Sequence, residues 1–108
     1  MDRARVVAAL KEHEKELREA GVLSASVFGS VARGEVPAND VDVAVRLGEN
    51  FSPRGLHYFV SLSELESQLS SILGCKVDVV EEPVRKKRMQ AEIDRDRVLA
   101  FRTARPPY

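Results

Sequence analysis

Cysteine is almost absent from this chain: Cys75 stands alone, so no internal disulfide can form and the fold must be held by its core. Following Gly74 and entering a strand-like run, Cys75 reads as a packed thiol rather than a reactive one. No apolar run approaches bilayer-spanning length, and the N-terminus has no basic segment followed by an apolar export core. A cytoplasmic, membrane-free protein is the expectation. Charge of one sign is lacking too, since 17 basic residues face 17 acidic ones. That balance excludes a polymerase-like electrostatic grip on long nucleic acid. Internal repeats, low-complexity segments and interdomain linkers are also missing.

What remains is a chain of 108 residues, 44% hydrophobic, enough for one core and a single domain over 1–108. It is too short for a catalytic domain plus a separate substrate-recognition domain. An enzyme of this size must take the missing surface from a second copy, making an oligomer, or from another protein.

Residues 3–20 read as a helix, capped by Asp2, with Val6, Leu10 and Leu17 on one face and Gly21 as the stop. His13 falls on that face and reads as a half-buried packing histidine. Residues 22–28 form a strand-like run ending at Gly29-Ser30, Ser30–Glu35 suit a helical turn, and Gly34, Pro37 and Asn39 mark a loop. Val41, Val43, Val45 and Leu47 alternate with Asp42, Ala44 and Arg46, the period of a strand with one apolar face. A long helix follows, with Ser52 as cap, Pro53 in its first turn, and a buried stripe of Leu56, Phe59, Leu62, Leu65, Leu69, Ile72 and Leu73 before Gly74. A strand is expected at 76–81, a helix from Pro83 through about Glu92, a short final strand at 97–101, and a frayed end at 102–108 that includes Tyr108. This order predicts an α/β (α+β) domain: a small mixed sheet with helices packed mainly on one face, leaving the other for polar chemistry.

The chemistry-bearing residues sit at strand ends and turns. Gly29-Ser30 is followed, after nine intervening residues, by Asp40-Val41-Asp42, and Asp78 lies within Lys76-Val77-Asp78-Val79-Val80. Side chains two apart on a strand point the same way, so Asp40 and Asp42 project together, opposite the valine row. Adjacent carboxylates repel, a divalent cation removes the repulsion, and hard oxygen ligands favour magnesium or manganese. If the strand at 76–81 lies beside that at 41–47, Asp78 joins the pair, and three carboxylates can hold a pair of ions. Glycine at 29 lets backbone approach phosphate oxygens, the Ser30 hydroxyl can donate to a β- or γ-phosphate, and Arg33 either reaches the same phosphates or stands as an exposed loop arginine with no specific contact.

The runs Val27-Phe28-Gly29-Ser30-Val31-Ala32-Arg33-Gly34 and Asn39-Asp40-Val41-Asp42-Val43-Ala44-Val45 resemble the signature of the polymerase-β-like nucleotidyltransferase superfamily. Leu69–Glu81 and Ile93–Phe101 extend the likeness over nearly the whole chain. The resemblance implies the nucleotidyltransferase fold, nucleotide binding by Gly29 and Ser30, metal binding by Asp40 and Asp42, and a catalytic triad completed by Asp78. It is closest in kind to minimal nucleotidyltransferases, the antitoxin half of toxin–antitoxin modules whose partner is a helical HEPN ribonuclease. Such antitoxins imply transfer of AMP from ATP to a tyrosine hydroxyl of the toxin. The Ser30–Asp40 spacer is shorter than in many relatives, and Val31 stands where a polar residue is frequent.

Two other readings belong beside this one: an antitoxin that only occludes its partner, and an enzyme modifying a small molecule such as an aminoglycoside. The run Arg85-Lys86-Lys87-Arg88 reads as a solvated face; otherwise it would meet an acidic partner surface or the triphosphate. His57, Tyr58 and Phe59 offer a candidate partner patch, with Phe59 expected in the core.

Overall fold

The computed structural model describes residues 2–35, 40–48, 51 and 55–102. Pro37, Asn39, Ser52, Pro53, the side chains of Leu56 and His57, and residues 103–108 lie outside that set. The predicted first helix is two: α1 (Arg3–Glu12) and α2 (Glu14–Glu19). Asp2 caps α1 as expected, accepting from the Arg5 amide at 2.9 Å. His13 leaves helical geometry at φ −99°, ψ 15° and meets Glu16 at 3.3 Å. The kink keeps Leu17 in the core with Val6 and Leu10.

Gly21 ends α2 with φ +106°, and a Cβ there would stand 3.0 Å from that of Phe51. The sheet then begins. Strand β1 (Val22–Phe28) is followed by the short helix α3 (Gly29–Ala32), β2 (Asp40–Leu47), helix α4 (Gly55–Leu73), β3 (Lys76–Glu81), α5 (Lys87–Asp96) and β4 (Val98–Arg102). The sheet order is β3-β2-β1-β4. β1 is antiparallel to both β2 and β4, while β2 and β3 run parallel, joined by the α4 crossover.

The period-2 reading of β2 holds. Val41, Val43 and Val45 are buried, with Val27 from β1 and Val77 and Val79 from β3 beside them. Leu65, Leu69 and Leu73 of α4 and Val6, Leu10 and Leu17 close this core. The opposite face, carrying Ser26, Asp42, Ala44 and Asp78, is partly covered by α5. There Ser26, Ala44 and Ile93 are buried, and Ala44 and Ile93 fall outside the main core cluster.

Three expectations need correction. The helix predicted from Pro83 starts instead at Lys87, after a turn with a cis Glu82–Pro83 peptide, and runs past Glu92 to Asp96. Tertiary bonds override local helix chemistry there: the Gln90 side chain accepts from the Val84 amide at 2.9 Å and donates to Glu82 at 2.8 Å. Phe59, expected in the core, is 67% exposed, because the neighbouring Tyr58 takes the inward position on α4, packed against the core in line with Leu62, Leu65 and Leu69. Arg102, assigned to a frayed end, is the last residue of β4 and pairs with Ser24.

Candidate functional site

The site is set by register. In the parallel β2–β3 pair Asp42 lies directly beside Asp78, and in the antiparallel β1–β2 pair it lies across from Phe28, the residue before the glycine-serine turn. Strand alternation puts Asp40, Asp42 and Asp78 on the face away from the valine core. Asp40 is exposed, whereas Asp42 and Asp78 are half-buried.

Gly29 leaves β1 at φ +74° and opens α3. A Cβ at this position would fall 2.3 Å from Asp42 Oδ2, so glycine is required twice, by its backbone angle and by its close approach to the carboxylate. Ser30 follows in the same turn, and its carbonyl accepts from the Glu35 amide at 2.9 Å.

Burial pushes the Asp42 carboxyl above its ordinary range, and the charges of Asp78 and Asp40 push it further, with Arg33 acting weakly the other way. A cation at this face would remove that repulsion. The donors are carboxylate oxygens, the chemistry of a hard divalent ion, so the residues fit magnesium or manganese. As the side chains stand, no three His, Cys, Asp or Glu groups converge into a ready-made cage among the described residues.

Arg33 is neither a free loop residue nor open on all sides. Its Nε and Nη2 donate to Glu35 at 2.8 and 3.2 Å, and its Nη1 donates to Asp96 at 2.6 Å. These partners raise the Arg33 guanidinium further above its ordinary value.

A second polar cluster on this face had no counterpart in the sequence reading. Arg97, just after α5, donates to both carboxylate oxygens of the buried Glu82, to Ser26 Oγ at 3.0 Å and to Asp94 at 2.9 Å. Hydrogen bonding to Arg97 holds the Glu82 carboxyl below its ordinary range. Nothing in the local pattern marks Glu82 and Arg97 as partners, because they meet only when α5 folds back over the sheet.

The other candidates separate cleanly. Arg85, Lys86, Lys87 and Arg88 are exposed and follow the end of β3 that pairs with Val45, at the opposite end of the strand from Asp40. Tyr58 packs on Phe51 edge-to-face and donates its hydroxyl to Glu81 at 2.5 Å. Burial and that carboxylate push its pKa up to about 12. Cys75 is half-buried against the core, as the sequence suggested.

A mixed sheet that places a glycine-serine turn against paired strand carboxylates defines a nucleotidyl-transfer enzyme. Residues 10–100 match the nucleotidyltransferase domain family, and the chain belongs to that family. Protein adenylyltransferase MntA of Thermococcus cleftensis is 39% identical over 77 residues, covering 69% of this chain and 72% of that relative. A solved structure described as a minimal nucleotidyltransferase superposes with a TM-score of 0.64 at 30% identity, covering 91% of this chain and 95% of the other. A chain from the complex of tri-AMPylated Shewanella oneidensis HEPN toxin with MNT antitoxin superposes with a TM-score of 0.62 over 89% of this chain and 71% of that one; at 19% identity what this shows is the fold.

Proposed function

We propose that this chain transfers AMP from ATP to a tyrosine hydroxyl of a helical HEPN-type toxin, in the cytoplasm, and thereby acts as its antitoxin. The observation that carries the reading is the alignment of Asp42 with Asp78 on neighbouring strands, next to the Gly29-Ser30 turn. The adenylyltransferase name of the Thermococcus relative supports AMP as the transferred group. The HEPN complex among the structural neighbours supports the partner.

Gly29 admits the phosphates close to Asp42, and the Ser30 hydroxyl donates to a β- or γ-phosphate oxygen. Asp78 orients the acceptor tyrosine and takes its proton. The phenolic oxygen then bonds to the α-phosphorus as the bond to the β-phosphate oxygen breaks, and pyrophosphate leaves with that electron pair. Asp40, Asp42 and Asp78 would hold magnesium or manganese, a pair of ions where both places fill, which supplies charge neutralisation on the triphosphate and a more acidic acceptor hydroxyl.

The test is to incubate the protein with magnesium, ATP labelled at the α-phosphate, and the product of the neighbouring gene. Label should appear on a partner tyrosine and disappear when divalent ions are chelated. A tight complex that never acquires label would favour occlusion and defeat the transfer reading.

A further inference from the structure

We propose that Asp96, in the last turn of α5, is a positioning residue that holds the Arg33 guanidinium ready for the nucleotide triphosphate. The inference rests on the nucleotidyl-transfer reading of the Gly29-Ser30 turn.

Arg33 is the C-cap of the short helix that Gly29 opens, and its amide donates to the Gly29 carbonyl at 3.1 Å. It therefore stands one turn above the residue that touches Asp42. Asp96 comes from the far end of the chain, 63 residues away, yet its side chain is only 6% exposed. Its two oxygens serve separate guanidinium groups: Oδ2 accepts from Arg33 at 2.6 Å and Oδ1 from Arg95 at 3.1 Å. Glu35 takes the Nε and Nη2 donors of Arg33.

A guanidinium has five N–H donors in a fixed fork. Three of the Arg33 donors are committed to Glu35 and Asp96, which leaves two N–H groups, on Nη1 and Nη2, for oxygens of another kind. The group Arg95, Asp96, Arg33 and Glu35 has no net charge, so its contribution to phosphate binding is directional donors rather than bulk attraction. A free arginine side chain loses its rotamer freedom when it grips a phosphate. Here the two carboxylates impose that order before nucleotide arrives, and preorganisation of this kind raises affinity without adding a contact. The same bonds tie α5 to the phosphate turn, so a helix that follows β3 bears on the turn that ends β1.

The experiment uses the full chain with ATP and adenosine as separate probes, titrated calorimetrically in the presence of magnesium. Asp96→Asn keeps shape but removes the charge-assisted bond, and should weaken ATP binding about tenfold while leaving adenosine binding unchanged. Arg33→Gln should do the same, and the double variant should be no worse than Arg33→Gln alone, because one residue acts through the other. Asp96→Glu should recover most of the affinity. If Asp96→Asn proves unstable, Arg33→Lys keeps the test open: a lysine cannot span Glu35, Asp96 and phosphate together, and should also lose ATP selectively. Unchanged or tighter ATP binding by a folded Asp96→Asn, or by Arg33→Lys, would overturn the proposal, as would losses that add in the double variant. A parent protein that binds no ATP would instead overturn the functional reading beneath it.

Discussion

On one side of the sheet Val27, Val41, Val43, Val45, Val77 and Val79 pack against Leu65, Leu69 and Leu73. On the other side the same strands carry Ser26, Asp42 and Asp78, with Arg97 and Glu82 reaching across under α5. The first face is uniform, and its residues are interchangeable in kind; the second is heterogeneous, and each side chain there has a named partner or an unrelieved charge. The comparison teaches that strand alternation lets a small domain separate its two tasks, so that stability is concentrated on one face and chemistry on the other. Substitutions on the two faces should therefore fail differently.

The largest effect is expected from Asp40→Asn combined with Asp42→Asn. Size and polarity remain but both charges go, so transfer should fall by orders of magnitude while the folded state persists. Activity within a few-fold of the parent, measured with the same α-labelled ATP, would erase the division between the faces. Leu69→Ala tests the other side. Leu69 is 1% exposed in the core, and its truncation should cost about 2–5 kcal/mol in denaturant unfolding, with little change in turnover by the molecules that remain folded. A specific loss of turnover would mean that the core face also tunes the chemistry.

How far these faces were legible in advance depended on range. The valine alternation of β2, the Asp78 flanked by valines, the Asp2 cap and the Gly21 stop are written within a few residues, and each is found where local periodicity or backbone freedom puts it. Arg33 was marked for phosphate contact, but its bond to Asp96 spans 63 residues and leaves no local trace. Arg97 and Glu82 meet across 15 residues with as little local trace, whereas Gln90 bonds to Glu82 and Val84 only eight and six residues away and holds a turn where the Pro83 signal predicts helix. Phe59 differs for another reason: it fits the helical stripe by its spacing from Leu62, but Tyr58, one residue earlier, faces inward and bonds to Glu81 of β3, so Phe59 is left exposed, a matter of how α4 is rotated against the sheet.

A finer contrast lies within the polar face, between two carboxylates whose pKa values are shifted in opposite directions. Glu82 is held below its ordinary pKa, chiefly by Arg97, so folding binds fewer protons there; its contribution is present above the unfolded pKa and is lost as pH falls through the folded one. Asp42 is held above its ordinary value by burial and then by Asp78 and Asp40, so its ionised form costs stability at neutral pH, and the cost fades as pH falls through its folded pKa. Glu82→Gln should therefore cost about 1–3 kcal/mol at neutral pH and progressively less in acid. Asp42→Asn, with divalent ions chelated, should raise the melting temperature at neutral pH and lose that advantage in acid. Parallel pH profiles for the two variants would dissolve the distinction.

The smallest effect should come from Phe59→Ser, which belongs to neither face. At 67% exposed, its ring contributes mainly an edge-to-face contact with Tyr58 at 5.7 Å between centroids. Tyr58 remains anchored without it, through Phe51 and the bond to Glu81. The substitution should therefore shift stability by less than about 0.5 kcal/mol, within the range of ordinary surface changes. A loss above about 1 kcal/mol in denaturant unfolding would show that Phe59 is packed as well as Tyr58, and that the apolar side of the molecule extends around α4 beyond its inward stripe.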